Sequence, residues 1–234
     1  MKLIIIIPIF NEEKTISKII KKVMLANTKN YKKEIIAVDD ASQDKTYEIL
    51  KQLKNKYKFT VLRHEKNKGK SVAIKTALKN IKPNTEDAII IQDADLEYDP
   101  DDWKKMLNKF DAGNPVVYGS RNLSPNTQRG YLTYFLGARA LTELCNILFR
   151  SKLTDLYTCY KLIRADIIIK AGIESKQFDF CPEITAKILS NGYSIKEIAI
   201  NYYPRSFSEG KKIKFWHGIS GAWILFKYKF FKFK

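Results

Sequence analysis

The chain has 234 residues and a hydrophobic fraction of 45%, enough for one sizeable core of ordinary globular composition. Its net charge of +17 favours anionic partners such as nucleic acid, anionic lipid or phosphorylated substrates. Three cysteines without a CxxC pair and two histidines argue against a zinc site and indicate reduced thiols. The N-terminus lacks the cleavage pattern of a signal peptide, and no apolar run approaches the roughly 20 residues that span a bilayer.

Apolar strands and amphipathic helices alternate along the first half of the chain. The predicted strands are residues 2–10, 34–38, 59–62, 89–91 and 116–118, and apolar residues recur at helical spacing over 16–23, 49–53, 72–81 and 103–110. Such alternation predicts an α/β fold with a mainly parallel sheet and helices on both faces. In these sheets, ligands bind beyond the carboxyl ends of the strands.

The second half has a different pattern. It predicts a long apolar helix over 131–149, a turn entering a strand over 154–164, a helix with Pro182 in its first turn, and a strand over 194–202. The polar composition of residues 204–212 predicts a loop. In the last segment, 216–234, aromatic residues at helical spacing alternate with lysines, which suits a membrane interface. A terminal helix packed on the domain and a dimer contact remain the alternatives, and no nucleic-acid-binding motif is visible.

The strand over 89–91 runs into an acidic turn. Because residues i and i+2 of an extended backbone point the same way, Asp93 and Asp95 can face one point past the strand end. Two close carboxylates are unfavourable unless a cation lies between them. Hard oxygen ligands suit Mg²⁺ or Mn²⁺, which take their remaining ligands from water and a diphosphate. A solvated acidic turn is the alternative.

Polar residues also follow the other strands of the predicted sheet. They are Asn11-Glu12, Asp39-Asp40, residues 67–70 and Ser120-Arg121, which the topology would bring to one edge. The first strand is not followed by GxGxxG, which argues against a dinucleotide site, and residues 67–70 are not a Walker A loop. Lys70 is therefore either a solvated lysine or a phosphate contact.

Eight motifs in series resemble the family 2 glycosyltransferases of the GT-A fold, and among them the dolichyl- or polyprenyl-phosphate mannose synthase type. Over residues 3–225 they read IIPIFNEE, VDDASQDKT, NKGKSVAIKTAL, QDADLEYDP, VVYGSR, LTDLYTCYKLIR, FDFCPEITAKI and YYPRSFSEGKKI. The resemblance implies a Rossmann-like GT-A domain over 1–215, with a nucleotide-sugar half (1–121) and an acceptor half (122–215). Residues 216–234 would be an amphipathic helix at the membrane interface.

The resemblance also implies roles for individual residues. The expected nucleotide-binding residues are Pro8, Phe10, Asn11, Glu12, Asp40, Lys70, Asp93 and Ala94. The expected metal ligands are Asp93, Asp95 and Glu97. The expected contacts to donor or acceptor phosphates are Arg121, Arg139, Arg205, Lys211 and Lys212. Phe10, Glu97 and Cys181 stand where relatives often carry Tyr, Gln and Glu.

The implied activity is a metal-dependent, inverting transfer of a hexose, mannose or glucose, from a GDP- or UDP-sugar to polyprenyl phosphate. Asp95 and Arg121 would act directly in the reaction. A lipid phosphate is already an anion and needs no general base, whereas a sugar hydroxyl would need a carboxylate, for which Asp155 is the candidate. Asp155 could equally cap the following turn.

The expected location is the cytoplasmic side, peripheral at the inner face of the cell membrane. A membrane-protein partner or a homo-oligomer is compatible with the sequence. One alternative is a family 2 enzyme that glycosylates a saccharide or protein hydroxyl in surface-polysaccharide synthesis. The other is a basic nucleic-acid-binding protein whose acidic turn is structural.

Overall fold

The computed structural model describes residues 1–124, 132–175, 179–205 and 216–231, without the side chains of 132–134 and 216–218. Two residues expected to bind phosphate, Lys211 and Lys212, lie outside the described residues. Among the described residues, no helix combines the length and apolarity needed to cross a bilayer.

Seven strands form one sheet in the order β3-β2-β1-β4-β6-β5-β7. They are β1 (Lys2–Ile9), β2 (Lys32–Asp39), β3 (Thr60–Arg63), β4 (Ala88–Ile91), β5 (Val116–Ser120), β6 (Lys161–Arg164) and β7 (Lys196–Ala199). Only β6 runs against its two neighbours, β4 and β5, while the other recorded pairings are parallel. The predicted α/β fold with a mostly parallel sheet is therefore confirmed.

Eight helices lie within the described residues. They are α1 (Ile16–Leu25), α2 (Thr46–Tyr57), α3 (Lys70–Lys79), α4 (Trp103–Asp111), α5 (Leu132–Phe149), α6 (Ala165–Ala171), α7 (Phe180–Ser190) and α8 (Trp216–Phe230). The sequence pattern did not predict α6, because seven residues rich in isoleucine show no readable helical period.

Alternate side chains of β1 pack into helix layers on opposite faces of the sheet. Leu3, Ile5 and Ile7 belong to one core with α1, α2 and α4, whereas Ile4 and Ile6 belong to a second core with α3, α6 and α7. All five side chains are fully buried, as the alternation of an extended strand between two helix layers requires. A third, smaller core joins α5, α7 and α8.

The sheet continues across residue 121, the boundary expected between the nucleotide-sugar half and the acceptor half. The strand β6 enters between β4 and β5, so both halves share one sheet. The parallel strands consequently present their carboxyl ends on one edge, where residues from both halves meet.

Candidate functional site at the carboxyl edge of the sheet

A tight turn follows β4 and carries the acidic pair. Gln92 is buried, donates its backbone N–H to the Ile6 carbonyl, and accepts a 2.7 Å hydrogen bond from the Tyr160 hydroxyl. Leu96 adopts a left-handed backbone with φ of 64°, which turns the chain sharply. Fixed at both points, the turn holds Asp93 and Asp95 at the edge, with 13% and 16% of their side chains exposed. We call this turn, residues 92–97, the acidic tip.

Lys70 neutralises one carboxylate of the acidic tip. It is the first residue of α3, and its Nζ pairs with Asp93 Oδ1 and lies 3.0 Å from Cys159 Sγ. Burial alone would lower the pKa of Lys70, but the charge and hydrogen bond of Asp93, together with Cys159 and Cys181, raise the pKa well above its ordinary value. Lys70 is thus an ion-paired residue within the site rather than a solvated surface lysine.

Asp95 is held less tightly. Its Oδ1 accepts a 3.1 Å hydrogen bond from the Glu97 N–H, and its Oδ2 lies 3.2 Å from Arg205 Nη2. Burial, followed by the charges of Asp93 and Glu97, raises the pKa of Asp95 to about 7, although Arg205 opposes the shift. The carboxylate therefore lacks full compensation for its negative charge.

Glu97 faces the chain rather than the two aspartates. Its Oε2 accepts the Tyr202 hydroxyl at 2.7 Å, and its Oε1 accepts the Arg205 N–H at 2.8 Å. The described residues hold no group of three or more acidic, cysteine or histidine side chains that could bind a metal. The donor set that does fit Mg²⁺ or Mn²⁺ is the pair Asp93 and Asp95, two hard carboxylates with further ligands supplied by phosphate and water.

The residues after β1 lie beside the acidic tip. Phe10 is half-buried, and Asn11 is exposed with φ of 56°. Asn11 does not cap α1: its Oδ1 accepts the Gln43 N–H at 2.8 Å, and the N-cap position belongs to Thr15. Glu12 accepts two hydrogen bonds from Arg205, at 2.9 and 3.1 Å.

The two adjacent aspartates after β2 have different environments. Asp40 is buried and accepts the N–H groups of Lys68 and Gly69, at 2.9 and 2.7 Å, and lies 2.6 Å from His64 Nδ1. It holds the loop that leads into α3. The carboxylate of Asp39 is also buried, and its Oδ2 accepts no hydrogen bond within the described chain, although Arg63 Nε lies 3.1 Å away.

The resemblance selected Asp40 as a nucleotide-binding residue and did not select Asp39. Adjacent residues on an extended strand point to opposite faces, so we expect the two carboxylates to face different surroundings. The sequence pattern does not show which one faces the loop at 68–69, because the hydrogen bonds from that loop are tertiary.

Arg121 and Asp155 form a fixed pair. Asp155 accepts Arg121 Nε and Nη2, both at 2.7 Å, and the Arg121 N–H at 3.0 Å. Behind them, the half-buried Glu197 carboxylate accepts the N–H groups of Thr154 and Asp155, at 2.7 and 3.0 Å. Burial alone would lower the pKa of the Arg121 guanidinium, but the charge and hydrogen bonds of Asp155, together with Tyr98 and Tyr202, raise it well above its usual range. The guanidinium also lies over the Tyr202 ring, at 5.1 Å.

The remaining predicted residues are distributed unevenly. Pro8 lies within β1 opposite Val38, and Ala94, which belongs to the acidic tip, is buried in the core. Arg139 is exposed on α5, and the described residues show no contact between it and the aspartates of the tip. Sequence reasoning also missed Tyr202, although the quoted motif YYPRSFSEGKKI contained it.

The three cysteines are free, as the reduced-thiol interpretation predicts. Cys181 is buried beneath the acidic tip, and a hydrogen bond with Cys159 lowers the pKa of its thiol to about 6 against the opposing effect of burial. The buried Lys161, whose Nζ lies 3.7 Å from the centre of the Tyr118 ring, contributes to the same shift.

Known proteins resemble this chain in sequence. The family described as glycosyl transferase family 2 matches residues 4–172. A dolichol-phosphate mannosyltransferase of Pyrococcus furiosus is 34% identical over 122 residues, which are 52% of this chain and 33% of that protein. The alignment thus spans about a third of the mannosyltransferase. A UDP-N-acetylglucosamine–dolichyl-phosphate N-acetylglucosaminyltransferase of Methanococcus voltae is 28% identical over 228 residues, covering 89% of each chain.

Solved structures have the same fold at low sequence identity. Glucosyl-3-phosphoglycerate synthase from Mycobacterium tuberculosis with UDP superposes with a TM-score of 0.71 at 14% identity, over 97% of this chain and 78% of that one. The same enzyme with Mn²⁺, UDP and phosphoglyceric acid gives a TM-score of 0.67 at 15% identity, over 89% and 72% of the two chains. TarS from S. aureus with UDP-GlcNAc gives 0.64 at 17% identity, over 97% and 67%. The chain belongs to glycosyl transferase family 2 and is a glycosyltransferase with the GT-A fold.

Proposed function

We propose that the enzyme transfers a hexose, mannose or glucose, from a GDP- or UDP-sugar to polyprenyl or dolichyl phosphate, with inversion at the anomeric carbon. The proposal divides the site into a donor part over residues 1–121 and an acceptor part over residues 122–215. The names of the two relatives, both of which specify dolichyl or dolichol phosphate, support this acceptor class.

The observation that carries the proposal is the pairing of Asp155 with Arg121. Both oxygens of Asp155 accept hydrogen bonds from Arg121, so this carboxylate positions a guanidinium instead of standing ready to take a proton from a hydroxyl. Arginine suits the planar, charged contacts of a phosphate. An anionic phosphate acceptor needs such a guanidinium and no general base, which favours it over a sugar or protein hydroxyl.

On the donor side, Asp93 and Asp95 would hold the divalent cation. When bound, the cation would neutralise charge on the departing diphosphate. Phe10 offers a half-buried ring for stacking against the base, and Asn11 is exposed beside it. Asp39 joins this set because one oxygen of its buried carboxylate lacks an aligned donor, which leaves it able to accept a hydrogen bond from the nucleotide.

We place the enzyme at an anionic membrane surface, cytoplasmic and peripheral, through α8. One face of α8 packs on α5 and α7 through Leu225 and Tyr228, which are 0% and 7% exposed. The opposite face exposes Ile219, Trp223, Phe226, Phe230 and Phe231. Lysines flank these aromatic residues, and the chain is strongly basic, so the surface complements anionic lipid. The alternative expected from the sequence, a terminal helix packed on the domain, thus holds for one face of α8, whereas the other face is exposed.

Vesicle sedimentation tests this placement. Replacing Trp223 and Phe230 together by serine should reduce binding to vesicles that contain phosphatidylserine by about tenfold or more. The matched control is Leu25→Ser on α1, an apolar side chain that is 75% exposed and lies on another helix. If the Trp223/Phe230 variant and the Leu25→Ser control lose vesicle binding equally, α8 is not the membrane contact.

Product extraction tests the transfer itself. Radiolabelled GDP-mannose, GDP-glucose, UDP-glucose and UDP-N-acetylglucosamine are each incubated with polyprenyl phosphate, Mn²⁺ and enzyme. The proposal expects label from a hexose donor to enter the organic phase as an acid-labile lipid. Label found instead in a water-soluble saccharide or a protein would favour the hydroxyl acceptor. Salt-sensitive oligonucleotide binding without any turnover would favour the nucleic-acid alternative.

A further inference from the structure

Asp95 is already occupied on both oxygens by donors from the chain. The Glu97 N–H reaches Oδ1 at 3.1 Å, and Arg205 Nη2 reaches Oδ2 at 3.2 Å. Of these two donors, only the guanidinium carries a charge. In the free protein, the position that a cation would need on Asp95 is therefore held by an internal cation.

Arg205 is fixed at two other points. Its guanidinium donates to both oxygens of Glu12, at 2.9 and 3.1 Å, and its backbone N–H donates to Glu97 Oε1 at 2.8 Å. The Tyr203 N–H adds a 2.9 Å bond to the Glu97 carbonyl. The contact with Asp95 is longer than any of these and is an ion pair alone. It is consequently the contact that gives way first when another cation competes.

The charges of the cluster leave room for a dication. Glu12, Asp93, Asp95 and Glu97 supply four carboxylates, and Lys70 and Arg205 supply two cations in contact with them. Two negative charges remain uncompensated when all four acids are ionised. A divalent cation matches that remainder, and the diphosphate that arrives with it would in turn need a cationic partner.

We propose that Arg205 is a place-holder: it occupies Asp95 in the free enzyme, yields that carboxylate to the divalent cation, and then contacts the phosphates of the donor. The inference rests on the proposed function for the identity of the phosphate ligand. It gives Glu97 the role of anchoring the segment that carries Arg205. It also couples metal binding to phosphate binding, because the released guanidinium is available only after Asp95 has found another partner.

The test measures Mn²⁺ binding without nucleotide, by the loss of the free-ion electron paramagnetic resonance signal. Arg205→Ala should bind Mn²⁺ about tenfold more tightly than the wild type, because the competing cation is gone. Arg63→Gln is the matched control: it removes a unit charge at the same edge, where Arg63 pairs with Asp39. The control should change the affinity by less than about twofold, and the difference between the variants should persist in 0.5 M salt, which screens long-range charge.

Unchanged or weaker Mn²⁺ binding in Arg205→Ala would overturn the proposal, as would an equal gain in the control. Arg205→Gln repeats the measurement with a shape closer to arginine if the alanine variant melts early. In a second arm, UDP or GDP should raise the Mn²⁺ affinity of the wild type by a larger factor than that of Arg205→Ala. If the wild type and Arg205→Ala bind Mn²⁺ equally but the enzyme still glycosylates lipid phosphate, the place-holder role of Arg205 is wrong and the proposed function stands. If Arg205→Ala binds Mn²⁺ more tightly but no lipid product forms, the place-holder role stands and the proposed acceptor is wrong.

Discussion

Two arginine–aspartate pairs lie at the same edge of the sheet and are built differently. Arg121 and Asp155 share three hydrogen bonds of 2.7 to 3.0 Å, and Glu197 holds the backbone behind them. Arg205 reaches Asp95 through one contact of 3.2 Å and is otherwise committed to Glu12. Residue type alone does not separate these pairs. The number and alignment of their hydrogen bonds distinguish a firmly held pair from the pair that we propose to be exchangeable.

The fixed pair belongs to a packed junction that extends to the C-terminal helix. Tyr157, two residues after Asp155, has a buried hydroxyl that faces Gly221 of α8. The carboxylates of the acidic tip are instead contacted by charged side chains that extend from α3 and from the segment after β7. We therefore expect substitutions in the junction to cost stability and substitutions in the tip to cost activity.

The largest effect on stability is expected from Asp155→Asn. The change leaves the Arg121 guanidinium, whose side chain is 22% exposed, without its counter-ion, and removing one partner of a buried ion pair typically costs about 3–5 kcal/mol. Urea unfolding followed by circular dichroism measures the loss. The control is Asp95→Asn at the exchangeable pair, where the free energy of unfolding should change by less than about 1 kcal/mol, since that carboxylate is poorly compensated. Similar losses at both positions would erase the distinction between the pairs.

The Asp95→Ala variant tests whether a substitution in the acidic tip lowers activity without lowering stability. Loss of this predicted metal ligand should lower kcat/KM by about 10²–10³-fold, the equivalent of several kcal/mol of stabilisation of the departing diphosphate. The melting temperature should stay near that of the wild type. Initial rates with saturating Mn²⁺ provide the measurement, and wild-type activity in the variant would remove Asp95 from the reaction.

Gly221→Ala tests the packing of the junction. A Cβ at this position would lie 2.1 Å from the Tyr157 hydroxyl oxygen, so either the Tyr157 ring or α8 must shift, at a cost of about 1–3 kcal/mol. Gly137→Ala on α5 is the matched helix-interior control, because a Cβ there meets no atom within 4 Å. The control should stabilise the protein by about 1 kcal/mol through helix propensity. The melting temperature should therefore fall in Gly221→Ala and rise in Gly137→Ala. A change in the same direction in both variants would contradict the described contact.

The smallest effect concerns pH. Burial opposes the shift, but hydrogen bonds from Lys187, Tyr228 and Lys227 lower the pKa of Glu174 to about 2 from an ordinary value of 4.5. A carboxylate with a lowered folded-state pKa stabilises the fold fully above its unfolded pKa, and this contribution disappears as the pH falls from 4.5 towards 2. The melting temperature of the wild type should exceed that of Glu174→Gln slightly at pH 6 and match it near pH 2. Since the Glu174 side chain is 51% exposed, solvent screening keeps the difference below about 1 kcal/mol. A constant difference across this pH range would contradict the assignment.

Much of the fold was predictable because its signals are local. The isoleucines of β1 and β4 mark strands buried on both faces, and the helices between them carry apolar residues at helical spacing. The parallel topology then placed the residues after each strand at one edge. Asp93 and Asp95 were found in this way, from two carboxylates at the end of an apolar strand.

The sequence by itself determined the α/β alternation, the acidic tip and, through eight ordered motifs, the glycosyltransferase family. The tertiary structure decided which charges meet. Arg205 and Glu12 are 193 positions apart, and Arg121 and Asp155 are 34 apart, so no local pattern could pair them. It likewise decided that Asp40 holds a loop while Asp39 keeps an oxygen without an aligned donor. The physical reason is that periodicity is set by neighbours along the chain, whereas ion pairing and burial are set by neighbours in space.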